Sequence, residues 1–253
     1  MRPVQLRAWA AIALLVTAFP ALASSPVAVT IGTSRDGVLH DLQRVVDKRF
    51  GPGRIDVRTG YLGAHPGDPD PWMWTRVPGK AVMMTLLEKK FPSGTIGWYA
   101  EHGAAPQLDG PNAGLVLERA RLNSMPTMLK LPTGVQRFGF YVAREPGGVA
   151  IDGDQESYTY FTNRMLNDVG PHGAGAIHAP YDGDPQMLVF DISRITQADT
   201  WLVACEYSDT GRPMGVGDGQ SDDDYSDIIF TVSGVGVTPT DKTTFGRLKA
   251  LYR

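Results

Sequence analysis

The feature that most constrains this chain is a dense acidic cluster joined directly to a short apolar run. Residues 222–227 contain four aspartates, and residues 228–232 follow at once with β-branched and aromatic side chains. Two carboxylates about 4 Å apart repel by roughly 4 kcal/mol at an effective dielectric of about 20. Crowded acids therefore need either full solvation or a bound hard cation with oxygen ligands, for which calcium is best suited.

The acidic segment is longer than this cluster. Between residues 206 and 227 the only basic side chain is Arg212, and the acids are Glu206, Asp209, Asp218, Asp222, Asp223, Asp224 and Asp227. An EF-hand loop that started at Asp218 or at Asp222 would lack the required glycine and the closing glutamate. A metal would therefore lie between strand ends, with ligands from distant parts of the chain. A solvated acidic loop before an ordinary strand is the alternative.

Most of the chain alternates short apolar runs with turn residues, and its 29 glycines and 19 prolines fit many turns. The predicted strands are residues 81–88, 95–100, 114–118, 137–143, 157–161, 174–179, 186–191, 201–206 and 227–233. Strands at this spacing without intervening helices predict an all-β fold, an antiparallel β-sandwich of jelly-roll-like character.

One amphipathic helix is predicted before the strands, over residues 36–50. Its apolar side chains recur at helical spacing, and Gly51, Pro52 and Gly53 would end it. We expect this helix to pack on a sheet.

The N-terminus predicts export. Arg2 and Arg7 precede an apolar stretch over residues 8–19, and residues 21–23 form an A-x-A cleavage site. We therefore predict a signal peptide over residues 1–23, one sandwich domain over 24–235, and a linker with a short basic C-terminal helix or tail over 236–253. The expected location is outside a bacterial cell or on its surface, with no transmembrane segment after cleavage. Loss of the two arginines changes the net charge from −3 to −5, so no nucleic-acid partner is expected.

Four aromatic residues are candidates for ligand binding. Trp72 and Trp74 lie in or beside a proline-rich loop, and Trp98 and Tyr99 lie in a predicted strand. Such rings can stack on sugars, which would make the protein a carbohydrate-binding module that recognises an extracellular glycan; they can equally close the edge of a core.

Sequence motifs give no support for catalysis. The chain contains neither G-x-S-x-G nor H-E-x-x-H. Paired acids of a glycoside hydrolase remain an open alternative because their separation is spatial rather than sequential. The leading expectation is a non-enzymatic protein with a structural or adhesive role, whose partner is a glycan or a protein of the cell envelope or matrix.

The end of the sandwich region resembles a known family. Residues 201–206, a glycine-containing insert and residues 224–232 are similar to the end of the bacterial domain family numbered 4114 among domains of unknown function. Its members tend to carry a strand ending in Glu-Asp, then D-[YF]-N-D and an apolar strand. Further similar segments are residues 39–43, 70–72, 96–99, 138–142 and 160–163. The resemblance covers most of residues 27–235 as one domain.

The resemblance implies an exported or surface β-sandwich with a calcium site, of the kind found in adhesin-like or matrix proteins. By position, Glu206, Asp224 and Asp227 match the acids of the family pattern. They are therefore the predicted calcium ligands.

Two departures from the pattern bear on this ligand set. Ser226 replaces the usual Asn, and Tyr207 replaces the Asp after the glutamate. One or two ligands are therefore either lost or supplied by Asp222 or Asp223, and we take Asp222 as the fourth predicted contributor.

Overall fold

The computed structural model describes residues 29, 31–32, 41–64, 73–90, 94–101, 106–117, 125–144, 159–167, 185–206 and 223–237. These residues form strands, two short helices and a single 3₁₀ turn over Arg164–Leu166. The helices and strands in chain order are α1 (Leu42–Phe50), β1 (Trp74–Arg76), β2 (Met83–Lys89), β3 (Gly94–Ala100), β4 (Ala113–Leu117), β5 (Thr127–Met128), β6 (Arg137–Arg144), β7 (Thr159–Phe161), β8 (Met187–Asp191), α2 (Ser193–Thr196), β9 (Thr200–Cys205), β10 (Ile228–Ser233) and β11 (Val235–Val237).

The strands form two antiparallel sheets. The five-stranded sheet has the order β5-β2-β10-β9-β8, and the six-stranded sheet has the order β11-β1-β6-β3-β4, with β7 beside β6. The predicted all-β sandwich is confirmed.

Aromatic side chains hold the two sheets together. Phe140 of the six-stranded sheet packs edge-on against Trp74 of the same sheet and against Phe230 of the five-stranded sheet, with ring centroids 5.2 Å apart in both pairs. All three side chains are fully buried. Edge-to-face pairs of this kind add about 0.5–1.5 kcal/mol each beyond the area they bury. The main core therefore lies between the sheets.

Helix α1 covers the other face of the five-stranded sheet, as predicted. Leu42 and Val46 of the helix belong to a cluster that includes Leu202 of β9 and Ile229 of β10. Because side chains of a strand alternate between its faces, β10 is packed on both sides. The observed helix ends at Phe50 with Gly51 at a φ of 98°, an ending typical of glycine. Residues 33–40, which include the predicted start, lie outside the described residues.

Most of the predicted strands are observed, one lies outside the described residues, and three observed strands were not predicted. Each predicted strand that falls on described residues overlaps an observed strand, whereas 174–179 lies outside them. Strands β1, β5 and β11 were not predicted, because segments of two or three residues carry no periodicity of their own and exist through pairing with neighbours. Strand β11 begins at Val235, the predicted domain end. The predicted signal peptide and residues 238–253 of the predicted tail lie outside the described residues.

Two glycines of the six-stranded sheet lie directly against tyrosine rings. A Cβ atom at Gly97 would lie 2.1 Å from the Tyr141 ring, and one at Gly139 would lie 2.5 Å from the Tyr99 ring. Both tyrosines belong to a small buried cluster with Met73. Glycine is therefore required here for close packing.

We predict that Gly97→Ala destabilises the fold, whereas Gly236→Ala does not. Residue 97 has no room for a Cβ atom, while a Cβ at Gly236 in β11 would meet nothing within 4 Å. Forcing a methyl group into a packed site costs about 1–3 kcal/mol. Urea unfolding of both variants measures the difference, and equal midpoints for the two variants would contradict this packing.

Candidate functional site

The ends of three neighbouring strands place Glu206, Asp227 and Lys90 side by side. Ile228 pairs with Cys205 on β9 and with Lys89 on β2. Extending both registers by one residue places Asp227 between Glu206 and Lys90. The backbone N–H of Lys90 donates to the carbonyl of Asp227 at 2.8 Å, which confirms this alignment.

The three described acids of the predicted set are buried. The exposed fractions are 1% for Glu206, 0% for Asp224 and 5% for Asp227. The alternative of a solvated acidic loop is therefore wrong for these residues. Since β10 is packed on both faces, the residues just before it are drawn into the interior. Asp222, the fourth predicted ligand, lies outside the described residues.

Backbone geometry turns Asp224 inward. Asp223 and Tyr225, its two neighbours, adopt left-handed φ angles of 53° and 52°. The Ser226 N–H donates to Oδ1 of Asp224 at 2.7 Å, and the Tyr225 N–H donates to Oε2 of Glu206 at 3.2 Å.

The buried Tyr225 ring packs beneath α1, and its hydroxyl donates to the carbonyl of Pro185 at 2.9 Å. Non-glycine residues in this conformation persist only where their surroundings hold them, as here.

Lys90 supplies a positive charge inside this cluster. Its Nζ lies 2.6 Å from Oδ2 of Asp224 and 3.8 Å from Oδ1 of Asp227, and its side chain is only 7% exposed. Sequence reasoning missed Lys90 because it lies 134 residues from Asp224 along the chain. The three carboxylates and the one ammonium group, all ionised, would together carry a charge of −2.

The carboxylate oxygens of the cluster are of the kind that binds calcium, but the positive charge of Lys90 does not fit a cation site. Carboxylate oxygens are the ligands calcium prefers. The Ser226 hydroxyl is buried and has no hydrogen-bond partner among the described residues. Its oxygen could therefore serve as a further metal ligand beside Asp227. However, no three Asp, Glu, His or Cys side chains within the described part of the chain form a group that could hold a metal ion. The ammonium group of Lys90 takes the position beside Asp224 and Asp227 instead.

The three described aromatic candidates do not form an open platform. Trp74 and Trp98 lie in the core between the sheets, and Tyr99 lies in the small cluster on the opposite face of its sheet. The Tyr99 hydroxyl accepts from the Asn163 N–H at 3.1 Å, and burial raises the pKa of Tyr99 to about 12. Sugar stacking needs an exposed ring face, which these three buried residues lack. Trp72 lies outside the described residues.

Cys205 borders the acidic cluster and is fully buried. Desolvation raises the pKa of its thiol well above the ordinary value, and the carboxylates of Asp227 and Glu206 add to the rise. A protonated, buried thiol is neither a nucleophile nor a metal ligand. The residue therefore contributes packing.

Comparisons of the chain with protein-family models, with curated proteins and with solved structures found no match. The resemblance to family 4114 therefore stays a prediction. Among the described residues, none of the helices has the length and apolar character needed to cross a membrane.

We predict that Lys90→Met destabilises the protein far more than Lys80→Met. Both lysines lie 2.6 Å from an aspartate, but the Lys80–Asp199 side chains are 52% and 59% exposed. Removing one partner of a buried pair costs about 3–5 kcal/mol, whereas an exposed pair contributes at most about 1 kcal/mol. Denaturant unfolding of both variants provides the comparison. Similar losses would mean that the Lys90 environment is not dry.

We also predict that Cys205 resists thiol reagents in the native protein. The side chain has no solvent exposure, so labelling by a maleimide must wait for unfolding. Labelling in guanidinium provides the control and should reach one group per chain, because the chain contains 1 cysteine. Rapid labelling of folded protein would contradict the packing of β9 against β10.

Proposed function

We propose that the protein is a secreted or cell-surface β-sandwich of bacterial origin with a structural or adhesive role. Its acidic strand ends bind calcium through Glu206, Asp224 and Asp227, and Asp222 contributes a fourth carboxylate. The observation that carries this proposal is the burial of three carboxylates at the end of β9 and in the segment just before β10. A glycan or a protein of the envelope or matrix is the partner expected for such a domain.

Charge supports a divalent ion over a monovalent one. The three carboxylates outnumber the ammonium group of Lys90 by two charges, and each buried charge is costly unless compensated. A calcium ion held there would join the end of β9 to the segment before β10. It would need Lys90 to lie aside or to lose its charge, since an ammonium group at this position repels a cation.

The expected energetic contribution is modest. Calcium sites of extracellular modules have dissociation constants of about 10⁻⁴–10⁻³ M. At millimolar calcium, such a site would stabilise the fold by about 0.4–1.4 kcal/mol. The ion would thus adjust the stability of a sandwich that already has an aromatic core.

We predict that calcium raises the melting temperature of the protein and that Glu206→Gln removes this response. Glutamine keeps the shape of Glu206 and an oxygen that can accept from the Tyr225 N–H, but it lacks the charge that holds the ion. Melting curves in millimolar calcium and in excess chelator measure the shift. Asp199→Asn at an exposed ion pair is the matched control and should keep the full response. A wild-type protein that melts at the same temperature in both buffers would refute the calcium site.

A further inference from the structure

The contact between Lys90 and Asp224 differs from an ordinary surface ion pair. The distance of 2.6 Å equals that of Lys80 to Asp199, but the side chains are 7% and 0% exposed rather than 52% and 59%. Water stabilises the ionised forms of the exposed pair. In a dry site, an ammonium and a carboxylate lose most of this hydration, so little water competes for the contact between them.

Both partners are held in place by backbone contacts. The N–H of Lys90 donates to the carbonyl of Asp227 at 2.8 Å, which extends the pairing of β2 with β10. On Asp224, the Ser226 N–H occupies Oδ1 at 2.7 Å, while Oδ2 faces the lysine. The amine is thus positioned beside a carboxyl group with one oxygen fixed. Such fixed proximity removes much of the entropic cost of a bimolecular step.

The same arrangement offers the two kinds of assistance that acyl transfer needs. The Ser226 N–H at Oδ1 polarises the carboxyl group and stabilises negative charge that develops on that oxygen during attack. Asp227 places Oδ1 3.8 Å from Nζ of Lys90, so a small movement of either side chain would bring it into hydrogen-bond reach, where it could take up a proton from nitrogen and deliver it to the departing oxygen.

We propose that Lys90 and Asp224 are joined by an amide bond that the folded chain forms by itself. The Nζ–Cγ bond forms and the Cγ–Oδ2 bond breaks. Of the three ammonium protons, one stays on the amide nitrogen and two leave with Oδ2 as water. Asp227 carries one of these protons and returns to its starting state. The reaction consumes one positive and one negative charge together and needs no oxidant, cofactor or second substrate.

The bond would supply a covalent tie that the cysteine content cannot. The chain has 1 cysteine, and the amide would link two positions 134 residues apart, next to the central strand β10. A link over such a long loop restricts the unfolded chain, as a disulfide does.

The inference goes beyond the calcium proposal and is compatible with it. The amide removes the ammonium charge, while Glu206, Asp227 and Oδ1 of Asp224 remain as oxygen donors.

Peptide mass spectrometry of the purified full chain tests the bond directly. The folded protein is denatured and digested with trypsin, which does not cleave after an acylated lysine. We expect residues 90–119 joined to residues 195–242, with a mass one water below the sum of the two peptides. Lys80 and Asp199 form the internal control, because their exposed pair should stay unlinked. Recovery of the unlinked 91–119 and 195–242 peptides from folded wild-type protein, with no joined species, would overturn the proposal.

Three variants separate this reaction from calcium binding. Lys90→Arg keeps the positive charge but should yield no joined peptide. Asp227→Asn should slow formation of the bond by at least about a hundredfold, the lower end of what a general acid–base group supplies. Glu206→Gln should lose the calcium-dependent melting shift yet keep the joined peptide, so the failure of one proposal is distinguishable from that of the other. A joined peptide that forms in Asp227→Asn as fast as in wild type would exclude the role of Asp227.

Discussion

Strand β10 is packed on both faces, and this constraint decides where the polar residues at its start must lie. Phe230 points into the core between the sheets, and Ile229 points into the cluster beneath α1. A strand that is apolar on both faces cannot end in solvent without exposing one of them. Asp227 and Asp224 are therefore held in the interior by the hydrophobic burial of the residues that follow them.

Burial of acids has to be balanced by a counter-charge, and the structure provides one from β2. Lys90 reaches the acids because β2 pairs with β10, with Lys89 opposite Ile228. A lysine loses about 2 kcal/mol of side-chain entropy when fixed, and a buried ion pair seldom stabilises a fold relative to apolar residues. Stability alone therefore does not account for a charged pair at this point. The contacts of Lys90 and Asp224 favour amide formation, whereas the proposed cation is supported by the excess of buried carboxylates over the one ammonium group.

Periodicity and turn residues predicted the sandwich well, because both are local signals. The helix over Leu42–Phe50 and the long strands, such as Arg137–Arg144, carry their own apolar patterns. The site was predicted only in part. Glu206 and Asp227 could be placed at facing strand ends from the acidic pattern, whereas Lys90 is one of many lysines and becomes significant only through the pairing of β2 with β10. The aromatic rings of Trp98 and Tyr99 were ambiguous for the opposite reason, since burial cannot be read from an aromatic residue in a strand.

Ser226 takes part in both the proposed cation binding and the proposed amide formation. Its N–H holds Oδ1 of Asp224, which the amide would retain as its carbonyl oxygen. Its hydroxyl is buried without a hydrogen-bond partner among the described residues, and leaving such a group unsatisfied costs about 1–3 kcal/mol. At the position where members of family 4114 usually carry Asn, this chain has Ser226, whose hydroxyl would be a smaller oxygen ligand for a cation next to Asp227. A cation beside Asp227 would offset that cost, and an amide at Asp224 would lower the repulsion that this cation meets from Lys90. Cation binding and amide formation would therefore favour each other.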